Sequence, residues 1–473
     1  MVQKSKYEVR KFGPITERRD YSISQKKFET PDFLEMQTIS VEKFLKKDIE
    51  LELRSIYPIE VNNKVRIDYL HNTAHFDIPK KTEFECIKEA KQKGSSYVGK
   101  LKAKLRQTNI NTGEVHEDEV VFAEIPIMTY GGSFVINGSE KVIVSQLIRS
   151  TGVYFGVGVR NKQANDLFNK VEIIPQLGSW VEIYHKVTSS THDSVKITID
   201  KNKSFYLTIF LKALGFTKTG IYEMFGRPEE LKETFKKDKI YSENTEEITK
   251  EAQEAIYRLI RKGDRMTPEG VRNLIPLTLF NEKRYNLTQT GRFTLNRKLN
   301  VIERILNSYL ADDIRSSRGE ILYEKNTFIT LDIAKKIHEE IKSGIIPMWR
   351  LPDIDPSVYG NQLEVEGNEK LGTRLFVPAI WIYPTENDMN NDHKVLVLGN
   401  DPTSTENFLL IPDIVATISY YFNLLEKVGV DDDPDSLINK RIVTIGELLQ
   451  NQFKVGLLKL EKNTRERIAA KEI

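Results

Sequence analysis

Residues 97–138 read YVGKLKAKLRQTNINTGEVHEDEVVFAEIPIMTYGGSFVING, and this stretch sets the sheet content of the fold. In YVGKLKAKLR (97–106) apolar and basic residues alternate. A period of two sends successive side chains to opposite faces of a strand. Leu101, Ala103 and Leu105 fall on one face, and Lys100, Lys102, Lys104 and Arg106 on the other. NINTGEV supplies a turn and EVVFAEIPIM a returning strand. YGGSFVING adds a second hairpin with turns at Gly131-Gly132 and Asn137-Gly138. Asn-Gly tolerates positive φ at both central positions of a tight turn.

On the N-terminal side, residues 1–27 are basic and polar, and are expected to form an arm with little regular structure. A helix is expected from Thr30-Pro31-Asp32, with a capping Thr, Pro at the first helical position and an acid in the first turn. Phe33, Met36, Gln37, Ser40, Val41, Phe44 and Leu45 follow at helical spacing. IYPIEV and VRIDYL read as strands, and Cys86 in EFECIK as a half-buried strand residue.

On the C-terminal side the pattern changes near residue 150. VEIIPQLGSWVEIYHKV and DSVKITID read as strands, followed by a helix over 204–214 that stops at Gly215. Residues 228–254 are strongly acidic. A helix from about 245 to 262 is capped by Asn244 with Glu247 three residues on, and ends at Gly263. Its apolar face is Ile248, Ala252, Ala255, Ile256, Leu259 and Ile260. Then the charge reverses: Arg258, Arg261, Lys262, Arg265, Arg272, Lys283, Arg284, Arg292, Arg297 and Lys298 crowd one stretch, interleaved with Tyr257, Tyr285 and Phe293. Residues 315–405 read as short β segments. IPDIVATISYYFNLLEKVG is a helix with Ile414, Ile418, Phe422 and Leu425 on one face. After the acidic turn DDDPDSL, TIGE (Thr444 to Glu447) opens a last helix with Ile445, Leu449, Phe453, Leu457 and Ile468 in register. A helix that long needs a packing surface. The first helix and the hairpin at 130–138 offer one, so residues 30–140 and 437–473 are expected to form one domain.

The chain has 473 residues, 39% of them apolar and 29% charged, with 70 basic against 68 acidic. That composition excludes a disordered polyelectrolyte, a coiled coil and a collagen-like chain. A single cysteine rules out an intrachain disulfide framework or a zinc site of two or more cysteines. No apolar run reaches membrane-spanning length and MVQKSKYEVRKFG lacks a signal-peptide core, so a cytoplasmic protein is expected.

Catalytic motifs are eliminated in turn. His71 and His75 are four apart, but the Glu of a zinc-protease helix is missing and the flanks read as strand. FGVGVRNK has Asn161 where a dinucleotide loop needs a third Gly, and reads as a flexible turn. Neither a phosphate-binding G-x-x-x-x-G-K-[ST] loop nor a G-x-S-x-G elbow occurs. HEDE and DDDPD lack calcium-loop spacing and read as solvated turns. What remains is charge segregation: a strand with a basic face and an arginine-rich stretch with aromatics, materials for holding a phosphate backbone and stacking on bases.

FAEIPIMTYGGSFVINGSEKVIVSQLIRSTGVYF (122–155) resembles the G-E-I-P-L-M-T…G-T-F-V-I-N-G segment of the bacterial DNA-directed RNA polymerase β subunit. PQLGSWVEI, NEKRYNLTQTGRFTLNRKL and NKRIVTIGELLQNQFKVGLLKLEKNTRERI resemble three further segments of that subunit, in the same order. The GEIL…EKNTFIT stretch resembles an insertion of many Gram-positive-type β subunits. The resemblance implies an N-terminal portion of a longer chain, with an α+β, two-domain fold. A lobe (β2) domain over 146–436, with a β-rich insertion at about 312–405, would be inserted into a protrusion (β1) domain built from 28–145 and 437–473, after the arm at 1–27.

The same resemblance implies function. The chain would form a wall of the DNA cleft, contact promoter and downstream DNA and the non-template strand, and be non-catalytic alone, with no cofactor of its own. The polymerase's magnesium would be held by the β′ subunit. DNA, the β′, α and σ subunits, and elongation factors at a gate loop (261–266) are the implied partners, and a membrane is not. DNA-contacting positions carried over are Arg149, Trp180, Asp200, Arg261, Arg284, Asp435 and Lys440; Val144 matches a position near an antibiotic pocket. Trp180 would stack on an unpaired base, while Arg149, Arg261 and Asp435 frame a pocket for a flipped guanine. Thr151, Pro434 and Lys440 depart from the family's Pro, Ile and Arg; Lys does not fork as Arg does. A stand-alone nucleic-acid-binding protein built from the same domains is the alternative.

Overall fold

The computed structural model describes residues 7–12, 16–21, 31–61, 64–77, 82–159, 167–186, 194–200, 204–226, 228–240, 245–282, 284–351 and 375–470. The chain divides into two compact units, Met1–Gln146 with Ile442–Ile473, and Leu147–Arg441. The breaks fall one and five residues beyond the 145/146 and 436/437 positions expected from the sequence.

The first unit is built on an antiparallel sheet. Strand Val98–Asn109 pairs with Val65–Tyr69, His75–Asp77 and Val115–Pro126, and Ile59–Val61 pairs with Val65–Tyr69. The alternation puts Leu101 and Ala103 in the core. The other face carries the basic row, and here the register corrects the sequence reading. Lys100 stands opposite Glu124, Lys104 opposite Glu119 and Arg106 opposite Glu117. Lys102 bonds Asp77 at 2.7 Å and Arg106 bonds Glu117 at 2.7 Å. The HEDE acids, read as a solvated turn, belong to the returning strand, so most of the basic row is neutralised within the sheet.

Against the sheet's apolar side lie two elements from opposite ends of the chain. A continuous helical stretch, Glu35–Lys43, Phe44–Asp48 and Ile49–Ile56, packs with the long helix Ile445–Ala470. Phe44, Ile49, Leu53, Leu101 and Leu457 share one buried cluster, joined by Leu449, Phe453 and Ile468. The Phe44 and Phe453 rings meet edge to face at 6.2 Å, an arrangement aromatic quadrupoles favour. Val41, Phe134 and Ile445 form a second contact, tying in the hairpin Phe134–Ile136/Ser139–Lys141. Asn137 and Gly138 both take positive φ at its turn.

Several local expectations for this unit need correction. The first helix begins at Glu35, because Asp32 and Leu34 form a turn in which the Asp32 carboxylate accepts from the Leu34 amide at 2.9 Å; Thr30 lies outside the described residues. Phe33 and Met36, assigned to its apolar face, are exposed. The N-terminal arm carries a hairpin, Glu8–Phe12 with Thr16–Asp20. Cys86 is buried on a helix, Glu83–Lys93, not a strand. Thr82, just before EFECIK, closes a capping box with Glu85 inside it, and Gly94, beyond it, ends the helix in the left-handed region.

The second unit holds a five-stranded antiparallel meander: Gly152–Val159, Leu167–Ile174, Val181–Lys186, Lys196–Ile199 and Phe205–Tyr206. FGVGV, expected as a flexible turn, is the first of these strands, with Gly156 paired to Lys170. Helices including Leu207–Ala213, Thr245–Ile260, Pro268–Leu279 and Thr288–Leu299 share its core. Asn244, the expected cap, lies outside the described residues. Helix Ile411–Leu425 is buried all round from Ile411 to Asn423 rather than along one stripe.

The buried polar side chains of that helix are hydrogen-bonded: the Thr417 hydroxyl donates to the Asp413 carbonyl, Ser419 Oγ accepts from the Leu398 amide and Asn423 donates to the Leu396 carbonyl. Asp413 takes both oxygens' bonds from Arg292 at 2.8 Å, and the Arg292 Nε donates to the Glu406 carbonyl. The segment expected as a β-rich insertion is mixed. A three-stranded sheet, Tyr309–Leu310, Ala379–Tyr383 and Val395–Leu398, shares its own core with the amphipathic helix Leu331–Lys342, through Leu310, Ile380 and Ile382 on one side and Ala334, Ile337 and Ile341 on the other. TFITLD, read as a strand, leads into that helix.

Candidate nucleic-acid interface

Seven of the eight singled-out positions lie in the second unit, and the structure gathers six of them into two groups. In the first, Trp180 immediately precedes strand Val181–Lys186, and its carbonyl accepts from the Asp200 amide at 2.8 Å. Asp200 ends strand Lys196–Ile199 in the left-handed region, φ 54°, which Asp tolerates better than most residues. The segment before Trp180 is pinned to the one carrying Arg284. The Gln176 and Leu177 amides donate to the Asn286 carbonyl, and the Asn286 amide returns a bond to Leu177.

Gly178 permits that approach. It has φ 122°, and a Cβ there would lie 2.7 Å from Tyr285 Cδ2 and 3.1 Å from the Arg284 carbonyl oxygen. Trp180 is half-buried, while Asp200 and Arg284 are exposed. A planar ring, a carboxylate and a guanidinium are thus carried on adjoining, backbone-linked loops.

The second group comprises Arg149, Asp435 and Lys440. The Ser150 amide donates to the Asn439 carbonyl at 2.9 Å, which holds the ends carrying Arg149 and Lys440 together. Lys440 lies 3.7 Å from Asp435, a carboxylate whose side chain is 94% exposed. Arg149 pairs with Glu172, which also meets Lys170 at 2.5 Å. Its guanidinium lies 5.8 Å from the Tyr154 ring centre. The Lys298 ammonium stands 4.8 Å from the same ring and pairs with Asp432.

Burial, with Asp432 adding to it, pushes the Tyr154 phenol up to about 12. Burial likewise pushes the Lys298 ammonium down, against the pull of Asp432. Tyr154, Glu172 and Lys298 were not singled out as site residues. For Lys298 the arginine-rich run was a signal; for Tyr154 and Glu172 the sequence carries none.

Arg261, expected with Arg149 and Asp435 around a flipped guanine, shares no hydrogen bond or ion pair with either group among the described residues. It follows the helix Thr245–Ile260, is exposed, and meets Asp264 at 3.7 Å. Val144 belongs to the first unit and is 74% exposed. Thr151 is buried, with its hydroxyl 3.5 Å from that of Thr288.

The arginine-rich stretch needs correction as a binding surface. Tyr257 and Tyr285 are buried and present no face to a base; Phe293 is 67% exposed. Arg292 is consumed in a buried ion pair and Lys298 in a partly buried one. His71 and His75 turn to separate partners. His71 packs edge to face on Tyr69, while His75 approaches the Thr73 carbonyl and Glu119. Among the described residues no group of three or more His, Cys, Asp or Glu is placed to hold a metal, and no helix is long and apolar enough to cross a membrane.

A family model described as RNA polymerase beta subunit matches residues 15–472. The chain belongs to the RNA polymerase β-subunit family. It is 53% identical to DNA-directed RNA polymerase subunit beta of Mycoplasmopsis pulmonis (strain UAB CTIP), over 100% of this chain and 40% of that protein. It is 46% identical to the subunit of Mesomycoplasma hyopneumoniae (strain 7448), over 98% of this chain and 38% of that one. It is 33% identical to that of Enterococcus faecalis (strain ATCC 700802 / V583), over 98% and 36%. The chain therefore spans about two-fifths of the length of these β subunits and corresponds to their N-terminal part.

Proposed function

We propose that this chain is the N-terminal portion of a DNA-directed RNA polymerase β subunit and forms a wall of the DNA cleft. The unit Met1–Gln146 with Ile442–Ile473 is the protrusion and Leu147–Arg441 the lobe. The family match along almost the whole chain carries this reading.

Two features of the second unit support DNA contact. The Trp180 ring is half-buried at the end of a loop, and a partly exposed indole can stack on an unpaired base of the non-template strand. Asp200 and Arg284 sit on the adjoining loops. Arg149 and Lys440 are carried on chain segments joined by the Ser150–Asn439 bond, with Asp435 3.7 Å from Lys440; a guanidinium, an ammonium and a carboxylate suit the acceptor and donor edges of guanine. Arg261 adds a cation from the 261–266 gate loop, where elongation factors would meet the polymerase, and Val144 lies towards an antibiotic pocket.

The chain works with the β′, α and σ subunits in the cytoplasm. Nucleotide addition, and the magnesium it needs, belongs to β′, so the chain alone is non-catalytic. The test is polymerase assembled with Trp180→Ala. Shorter-lived promoter complexes with an intact fold support the reading; an unchanged lifetime refutes the role of Trp180. Template-directed nucleotide incorporation by the purified chain alone would refute the non-catalytic assignment.

A further inference from the structure

Lys298 is not among the DNA-contacting positions that the family resemblance carried over, yet it is one of the points where the segments bearing Arg149 and Asp435 are joined. Its side chain is 14% exposed and that of its partner Asp432 13%. The Lys298 ammonium also donates to the Val153 carbonyl at 3.1 Å. Asp432 in turn pairs by its backbone with strand Gly152–Val159: its amide donates to the Phe155 carbonyl at 2.7 Å, and its carboxylate accepts from the Phe155 amide at 2.8 Å.

We propose that Lys298 is a positioning residue for the Arg149, Asp435 and Lys440 surface, holding the 430–440 segment on the strand and backing the Tyr154 ring beside which Arg149 lies. The inference rests on the reading that this surface contacts a base.

The Asp435 carboxylate is exposed and reaches Lys440 only at 3.7 Å, so that pair does little to place it; its amide donates to Asp433 Oδ1 at 2.8 Å, which ties it to the residue after Asp432. Three residues earlier, Asp432 is bonded to Lys298 and twice to Phe155, an anchorage that fixes the near end of the 433–440 turn, whose far end is held by the Ser150–Asn439 bond. The Tyr154 hydroxyl donates to the Ser150 carbonyl at 2.7 Å, so the ring is fixed at its far end while Lys298 and Arg149 sit against its π system. Cations near an aromatic ring are attracted to its quadrupole. Loss of Lys298 would leave the apolar core in place, since Val153, Phe155, Leu295 and Leu299 are held by one another and by the stacked Phe155–Tyr420 pair at 4.1 Å. Base recognition needs groups held to a fraction of an ångström.

The test uses assembled polymerase and two promoter DNAs differing by guanine or adenine at the non-template base this surface would read. The measured quantity is the ratio of their complex lifetimes. Lys298→Met with Asp432→Asn removes both charges together, leaving neither buried alone. The expected result is loss of the guanine preference by about fivefold to a hundredfold, the worth of a well-made base contact, matching Arg149→Ala. Tyr154→Leu, which keeps the ion pair, is expected to lower the ratio as well, and serves if the double variant fails to fold. A ratio kept by the double variant and by Tyr154→Leu, while Arg149→Ala lowers it, overturns the positioning role alone. A ratio unmoved by Arg149→Ala refutes the underlying reading and this inference with it.

Discussion

Gly446 lies against Ser40 so closely that a Cβ on Gly446 would stand 2.1 Å from the Ser40 carbonyl oxygen and 2.6 Å from its hydroxyl. The Gly446 amide uses the approach to donate to Ser40 Oγ at 2.8 Å. Residues 406 positions apart thus seal the start of the long C-terminal helix onto the first helix.

Gly446→Ala is therefore expected to destabilise the first unit. Alanine gains about 1 kcal/mol of helix propensity over glycine, but the clash is with backbone, which cannot rotate away. Overpacking of that kind costs about 1–3 kcal/mol or more, so the net sign is destabilising. Urea unfolding of the chain checks this; an unchanged or raised midpoint contradicts it.

Arg292→Ala is expected to cost about 3–5 kcal/mol, because it strands the Asp413 carboxylate, 1% exposed, without its partner. Replacing both residues by apolar ones of similar volume is expected to cost much less. Equal losses for the single and double variants would contradict the account of this pair.

Glu50 gives the first unit an acid-sensitive contact. Burial raises its carboxyl, but bonds from the Tyr69 hydroxyl, the Asn72 amide and Arg54 outweigh that and hold it below its ordinary 4.5. A carboxylate depressed on folding stabilises the fold above its unfolded value, and the contribution is lost as pH falls through the folded one. The stability difference between wild type and Glu50→Gln should therefore shrink as pH falls below about 4.5. A difference independent of pH would contradict this. Tyr69, pushed up to about 12 by burial and by Glu50, should ionise well above an ordinary tyrosine in a spectrophotometric titration.

Gly178→Ala is expected to disturb Trp180 without unfolding its unit. The added methyl would meet the Tyr285 ring and the Arg284 carbonyl, and alanine resists φ 122°. With Trp349 and Trp381 replaced by Phe, Trp180 is the chain's remaining tryptophan, and its emission and quenching by iodide should change. An identical spectrum would show that the 176–178 and 284–286 pairing does not control the ring.

What the sequence disclosed follows the range of the interactions involved. The Asn137-Gly138 turn and the alternation of 97–106 are local and were legible. So was the apolar face of the last helix, and with it the argument that Phe453 and Leu457 need partners near the N-terminus; Phe44 beside Phe453 is such a partner. The neutralisation of Lys100 and Arg106 depends on strand register, which composition does not encode. Cys86 was misread because its helix is set by Thr82 and Gly94, outside the quoted hexapeptide. Gly156 suggested a flexible turn, yet its residue pairs in a sheet where neighbours supply the packing. Trp180, Arg149 and Asp435 are singled out by the resemblance alone. Their supports, Gly178 against Tyr285 and Lys298 against Asp432, join segments about 100 to 134 residues apart and emerge only from the fold.

The central claim is that the Trp180 surface faces the non-template strand in an assembled polymerase. A photo-cross-linking amino acid placed at position 180, with one at exposed Trp381 as control, tests it directly in a promoter complex carrying separately labelled strands. The account predicts cross-links from position 180 to the non-template strand near the start site and none from position 381. Cross-links from 180 to neither strand, or equally from both positions, would contradict it.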